Sequence, residues 1–111
     1  MARIVVSDFT AGNYEKITVS STALGATSTI YTKDAGGGKV IHASKAFISV
    51  ETESIRIRWD GGTPTSALGH LVVAGDSIEI EGRANIRQLR MIRITNDAAV
   101  HVTIHYDPVI Q

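Results

Sequence analysis

The chain has four histidines, no cysteine, and a run of glycines ahead of a lysine. Metal, thiol or phosphate chemistry would have to start from these residues. Without cysteine there is no thiol nucleophile, no Cys-ligated zinc or iron–sulfur centre and no disulfide framework. His101 and His105 share a strand face, but four residues along a strand span roughly 13 Å, whereas ligands of one zinc lie within about 2 Å of the ion. His42 and His70 stand in separate segments. Gly36-Gly37-Gly38-Lys39 departs from a phosphate-binding loop twice. The required first glycine is replaced by Lys33, and Val40 follows the lysine where Ser or Thr is needed. No Gly-x-Ser-x-Gly elbow marks a nucleophile. Glu79 and Glu81 alternate with Ile78 and Ile80, as the solvated side of a strand would. No catalytic residue, metal or cofactor is expected, and the chain reads as non-enzymatic.

Arginine supplies the most distinctive charge pattern. Arg83, Arg87, Arg90 and Arg93 follow one another with no carboxylate between them, and Arg56 and Arg58 add a second basic face beside Trp59. The chain as a whole is neutral, with 11 Lys+Arg against 11 Asp+Glu. No long-range field therefore steers it to nucleic acid or an anionic membrane. Aromatic residues make up only 5%, too few for the stacking platforms of single-strand nucleic-acid binders. Planar, multi-donor arginine heads suit a protein partner bearing carboxylates. The expected interface is Arg56, Arg58, the loop Gly61, Gly62, Thr63, Pro64, Thr65 and Ser66, and the strip Arg83, Arg87, Arg90 and Arg93. Strand parity assigns Trp59 to the core with Ile55 and Ile57.

These groups must be positioned by strands. From Ala46 onward the apolar period is two: Ala46, Ile48 and Val50; Ile55, Ile57 and Trp59; Ile78 and Ile80; and Val100, Val102, Ile104 and Tyr106. The polar links Thr52-Glu53-Ser54 and Ala74-Gly75-Asp76 are short enough to close hairpins, so the runs on either side of each are expected to pair. Asp60 to Thr65 stacks turn formers. Asn85 to Leu89 allows one helical turn at most. In the first third, Arg3 to Val6, Tyr14 to Val19 and Thr29 to Tyr31 read as short strands, and Asp34 to Lys39 as a flexible loop. With 111 residues there is one domain, with residues 1–13 as a candidate N-terminal arm. The fold class is all-β, an antiparallel β-sandwich of jelly-roll type with eight or nine short strands. Apolar runs such as Leu71 to Ala74 fall far short of the roughly 20 residues of a spanning helix, and no basic-then-apolar leader opens the chain. The expectation is a soluble protein, intracellular when made.

The segment Ser54-Ile55-Arg56-Ile57-Arg58-Trp59-Asp60-Gly61-Gly62-Thr63-Pro64-Thr65 is followed by Gly69-His70, Ala74-Gly75-Asp76, Asn85-Ile86, Leu89 to Arg93 and Val102 to Tyr106. In this order and spacing the motifs resemble those of small β-sandwich structural proteins of tailed-bacteriophage virions. The resemblance covers about the second half of the chain, with a looser likeness at Ile17 to Ala23. It implies a capsid decoration or cement protein, with neck and tail roles as the alternatives within the particle. It also implies the major capsid protein or other virion proteins as partners, a homo-oligomer such as a trimer or ring, synthesis in the host cytoplasm, and a final place in the virion. Nucleic acid and membrane are not expected partners. A carbohydrate-binding module is the alternative from a different class. It would depend on the small aromatic supply of Trp59, Tyr14, Tyr31 and Tyr106.

Overall fold

The computed structural model describes residues 10–27 and 31–106. The fold is an all-β sandwich of antiparallel strands. In chain order the elements are β1 (Thr10–Val19), β2 (Thr32–Gly36), β3 (Lys39–Glu51), β4 (Ile55–Arg58), β5 (His70–Val72), β6 (Ser77–Glu81), α1 (Arg83–Gln88), β7 (Arg90–Arg93) and β8 (Ala98–Tyr106). Period-two patterning is clearest in β8, where Ala98, Val100, Val102, Ile104 and Tyr106 are buried and the residues between them are half-buried. That strand runs through the middle of the larger sheet, paired with β1 on one side and β3 on the other. Its apolar face joins Ile17 and Val19 of β1, Ile48 and Val50 of β3, Ile55 and Ile57 of β4, and Met91 of β7 in one core. Burial of such a face is the main favourable term holding two sheets together.

The larger sheet has the order β1-β8-β3, with β2 and β6 lying along the other side of β3. The smaller sheet is β5-β4-β7. Leu24 extends it through an isolated antiparallel bridge to Met91, with Leu24 N–H donating to Met91 O (3.0 Å) and Met91 N–H to Leu24 O (2.7 Å). The order β1-β8-β3-β6 on one sheet and Leu24-β7-β4-β5 on the other gives the two interleaved Greek keys of a jelly roll. Among the numbered strands the chain changes sheet at β3→β4, β5→β6, β6→β7 and β7→β8.

Both expected hairpins are corrected by this connectivity. β3 and β4 belong to different sheets, as do β5 and β6, so Thr52–Ser54 and Ala74–Asp76 are arches across the sandwich. Thr52 takes φ 68, a conformation that a β-branched residue adopts only under constraint. Its hydroxyl donates to Glu51 O and accepts from Ala99 N–H of β8. At the second arch, Val50 N–H donates to Asp76 O (2.9 Å) and Gly75 N–H to Val50 O (2.8 Å). The turn is thereby hydrogen-bonded to β3, and the chain that leaves it pairs there, Ser49 with Ser77 and Ile48 with Ile78.

The expected flexible loop Asp34 to Lys39 is a tight hairpin joining β2 to β3, with Gly37 at φ 61 and Gly38 at φ 77 supplying the positive dihedrals. Of the arm expected over residues 1–13, residues 10–13 belong to β1, where Thr10 pairs with Tyr106, and residues 1–9 lie outside the described residues. The strand expected at Arg3 to Val6, and Thr29 and Ile30 of the one expected at Thr29 to Tyr31, lie outside the described residues. The single helical turn expected near Asn85 is α1, which places Ile86 in the core.

Candidate functional site: the arginine-clamped loop and its cleft

The three strands of the smaller sheet bring three of the six arginines of the expected interface together. In register, Arg58 of β4 lies opposite Arg90 of β7, and Arg56 lies between Leu71 of β5 and Ile92 of β7. Ile55 and Ile57 alternate with Arg56 and Arg58 and are fully buried, so Arg56, Arg58, Leu71, Arg90 and Ile92 share the outer face.

The Arg56 and Arg58 heads on this face are engaged by the chain's own loop, Asp60 to Gly69, which folds back over the sheet. Arg58 Nε and Nη2 donate to the two carboxylate oxygens of Asp60 at 3.0 and 2.8 Å, and Nη1 reaches Thr63 O at 3.5 Å. Arg56 makes longer contacts, to Ser66 O (3.5 Å) and Gly69 O (3.4 Å). Asp60 also accepts from Gly62 N–H. With the Arg58 hydrogen bonds as the main cause and the Gly62 amide next, its carboxyl is lowered from 3.8 to about 2. A side chain at Gly62 would meet Arg58 Nη2 at 2.2 Å, so only glycine allows the loop this close to the guanidinium. Thr65 closes the far end: its hydroxyl accepts from Ala67 and Leu68 N–H, its amide donates to Leu68 O, and Pro64 beside it is buried.

The remaining arginines do not form one strip. Arg93 has the opposite parity to Arg90 and pairs with Asp97 at 2.5 Å. Arg83 and Arg87 lie on α1, with Arg87 over the Tyr31 ring at 5.9 Å. Arg90 Nη1 turns to Leu89 O and Arg87 O. Of the expected interface, then, the structure gathers Arg56, Arg58, Arg90 and residues 61–66, and sets Arg83, Arg87 and Arg93 apart.

Where β4 ends, Arg58, Trp59, Asp60, Leu68, Gly69 and His70 line an open cleft of about 400 Å³. Trp59 packs on the core as parity predicts, but it is only half-buried, and its ring stacks on His70 with centroids 4.9 Å apart and planes 25° from parallel. Assigning Trp59 to the core alone is therefore corrected. Pairing of Ile57 with His70 brings the histidine alongside, a cross-strand placement that no local motif announces.

Two polar constellations on the outer face of the larger sheet also went unseen in the sequence. Glu51 Oε2 lies 3.3 Å from His101 Nε2, and Tyr14 Oη hydrogen-bonds His101 Nδ1 with the two rings stacked. This line joins β3, β8 and β1 on an open sheet surface. Nearby, Lys45 is 2% exposed, with Nζ 2.8 Å from Glu79 Oε1, an ion pair whose angle falls outside hydrogen-bond geometry. His105 is opposite Lys45 in register. Burial first, then the Lys45 cation, lower its pKa from 6.5, and Glu79 opposes them. No cluster of three or more potential metal ligands occurs among the described residues. Comparison of the chain with protein-family models, with curated proteins and with solved structures finds no match in any of the three.

Proposed function

We propose that the chain is a non-enzymatic structural protein of a tailed-bacteriophage virion, decorating the capsid surface, and that it meets the major capsid protein through loop 60–69 and the arginine face beneath it. The observation that supports this reading is the clamp itself. A long connection built on Asp60-Gly61-Gly62-Thr63-Pro64-Thr65 is held in place by Arg56 and Arg58. Ordering a loop before docking removes part of the entropic cost of binding. The loop also carries Leu68, 61% exposed, at its return. Neutral net charge favours close packing of copies, and a trimer or ring is the oligomer a symmetric particle would take. Many modest contacts then add through multivalency. Neither nucleic acid nor membrane has a part in this reading.

The test is incorporation. Particles purified from an infected host, analysed by quantitative mass spectrometry, should contain the chain in a copy number comparable with that of the major capsid protein. A handful of copies per particle would assign it to the neck or tail, and absence from the particle would refute a virion role. The double variant Arg56→Ser, Arg58→Ser should fold, because the small sheet's core lies on the opposite face, yet incorporate poorly. Normal incorporation of that variant would remove the interface from this face.

A further inference from the structure

From the cleft beside the clamped loop we infer a binding site for an uncharged pyranose ring, a reading that does not rest on the virion role although the cleft shares Arg58, Asp60, Leu68 and Gly69 with the interface proposed above. Three features of the cleft point to that ligand. Its wall is a half-buried indole stacked on an imidazole. The electron-rich face of an aromatic ring attracts the polarised C–H groups on one face of a sugar. Its rim is polar: neither the Trp59 indole N–H nor the His70 ring nitrogens hydrogen-bond any described residue, so they are open to hydroxyls. The Asp60 carboxylate at the lip is ionised, its pKa being about 2, and accepts hydrogen bonds from vicinal hydroxyls as well as from Arg58. Because Arg58 and Asp60 pair with each other, the rim presents donors and acceptors with no net charge. That balance selects a neutral sugar over a sialylated or sulfated one. Leu68 adds apolar surface to the lining, and about 400 Å³ accommodates one ring with its substituents.

The site also carries its own reporter, since Trp59 is the only tryptophan in the chain. Titration of the full chain with glucose, galactose, mannose and N-acetylglucosamine, followed by tryptophan emission, should give a saturable change for at least one of them. The midpoint should fall in the range of roughly 1–20 mM that a single stacked ring supports. A glycan array should give hits on neutral glycans ending in that sugar. His70→Ala should weaken binding about tenfold while leaving the circular dichroism spectrum unchanged. Saturation-transfer NMR on the unaltered chain should place the sugar's C–H protons against aromatic protons, a readout that needs no variant to fold. No saturable change with any of the four sugars would overturn the assignment. So would array hits confined to charged glycans, or binding unaffected by both His70→Ala and Trp59→Phe. A protein absent from virions yet binding sugar would leave this site standing and remove the virion role, and the converse result would do the opposite.

Discussion

Adding one methyl group at Gly25 tests whether the smaller sheet is closed by a fourth segment. Gly25 follows Leu24, whose two hydrogen bonds with Met91 tie residues 20–27 to β7. A Cβ at Gly25 would sit 2.3 Å from Leu89 O and 3.2 Å from Arg90 Nη1. The first neighbour is backbone, held next to a strand, and it cannot swing aside as a side-chain tip would. Reaching an acceptable contact requires opening the seam by about 0.7 Å or more, in an interior packed as tightly as a crystal. Two effects compete. Removing the extra freedom of glycine from the unfolded chain stabilises by about 0.4–1 kcal/mol where the backbone is compatible, whereas forced overpacking costs about 1–3 kcal/mol. The clash is against backbone, so overpacking wins, and Gly25→Ala should destabilise by about 1–2 kcal/mol net. For a domain of this size that lowers the melting temperature by roughly 5–10 °C. Urea melts should show a reduced midpoint at unchanged slope, and hydrogen exchange at the Leu24 and Met91 amides should quicken more than exchange in β8. A variant as stable as the parent, or more so, would refute the argument, because the entropy term would then stand alone and the seam would not be tight.

The clamp, the half-buried histidine and the core each give a further expected outcome. Gly62→Ala should displace the Arg58 head from Asp60, so loop 60–69 should become the first site of limited proteolysis while the strands stay protected. Unchanged cleavage would mean that the pair does not hold the loop. His105 binds its proton less readily in the folded chain than the ordinary 6.5 implies, chiefly through burial. The unfolded chain therefore takes up that proton first, and stability falls as pH drops from 6.5 toward the lower folded value while staying level above it. His105→Gln should flatten that slope in urea melts at stepped pH, and an identical slope would assign it to other groups. Ile57→Ala, at a fully buried position between the two sheets, should cost about 2–5 kcal/mol, read from the same melts. A cost below about 1 kcal/mol would mean that the core collapses around the gap.

Strand identity is written into the sequence, and sheet membership is not. Alternation along Val100 to Tyr106 predicts an inward set that the structure buries residue for residue, because a half-buried strand must place every second side chain in the core. The same local rule does not say which way the chain goes after a short polar link. Thr52–Ser54 and Ala74–Asp76 are long enough to reverse the chain within a sheet or carry it to the facing one. The choice is made by partners far away in sequence: Ala99 N–H on Thr52, Val50 on Gly75 and Asp76, and Ser54 Oγ accepting from Ala74 N–H, which joins the two arches. These contacts depend on β3 and β8 being already in place. Period-two patterning therefore gives the strands of a jelly roll and the wrong pairings between them.

The arginines show the same boundary at the candidate site. Parity correctly places Arg56 and Arg58 on the outer face, since Ile55 and Ile57 between them must be inside. A basic face on a strand is normally solvated, and the turn formers from Asp60 to Thr65 predict an irregular connection without saying where it lies. Two local features nevertheless pointed to the answer: a carboxylate two residues after Arg58, within reach of a bidentate guanidinium contact, and a glycine at 62 that lets the backbone approach that head. Taken together they favour a loop that turns back onto its own strand. With the loop so placed, Trp59 beyond the end of β4 lines the cleft half-buried, and His70, returning on β5, stacks on its ring. The cleft is thus a consequence of the clamp: loosening Arg58 from Asp60 should alter the environment of Trp59, and the emission of the single tryptophan in Asp60→Asn, compared with the parent at neutral pH, will register it. Identical spectra would separate the cleft from the clamp.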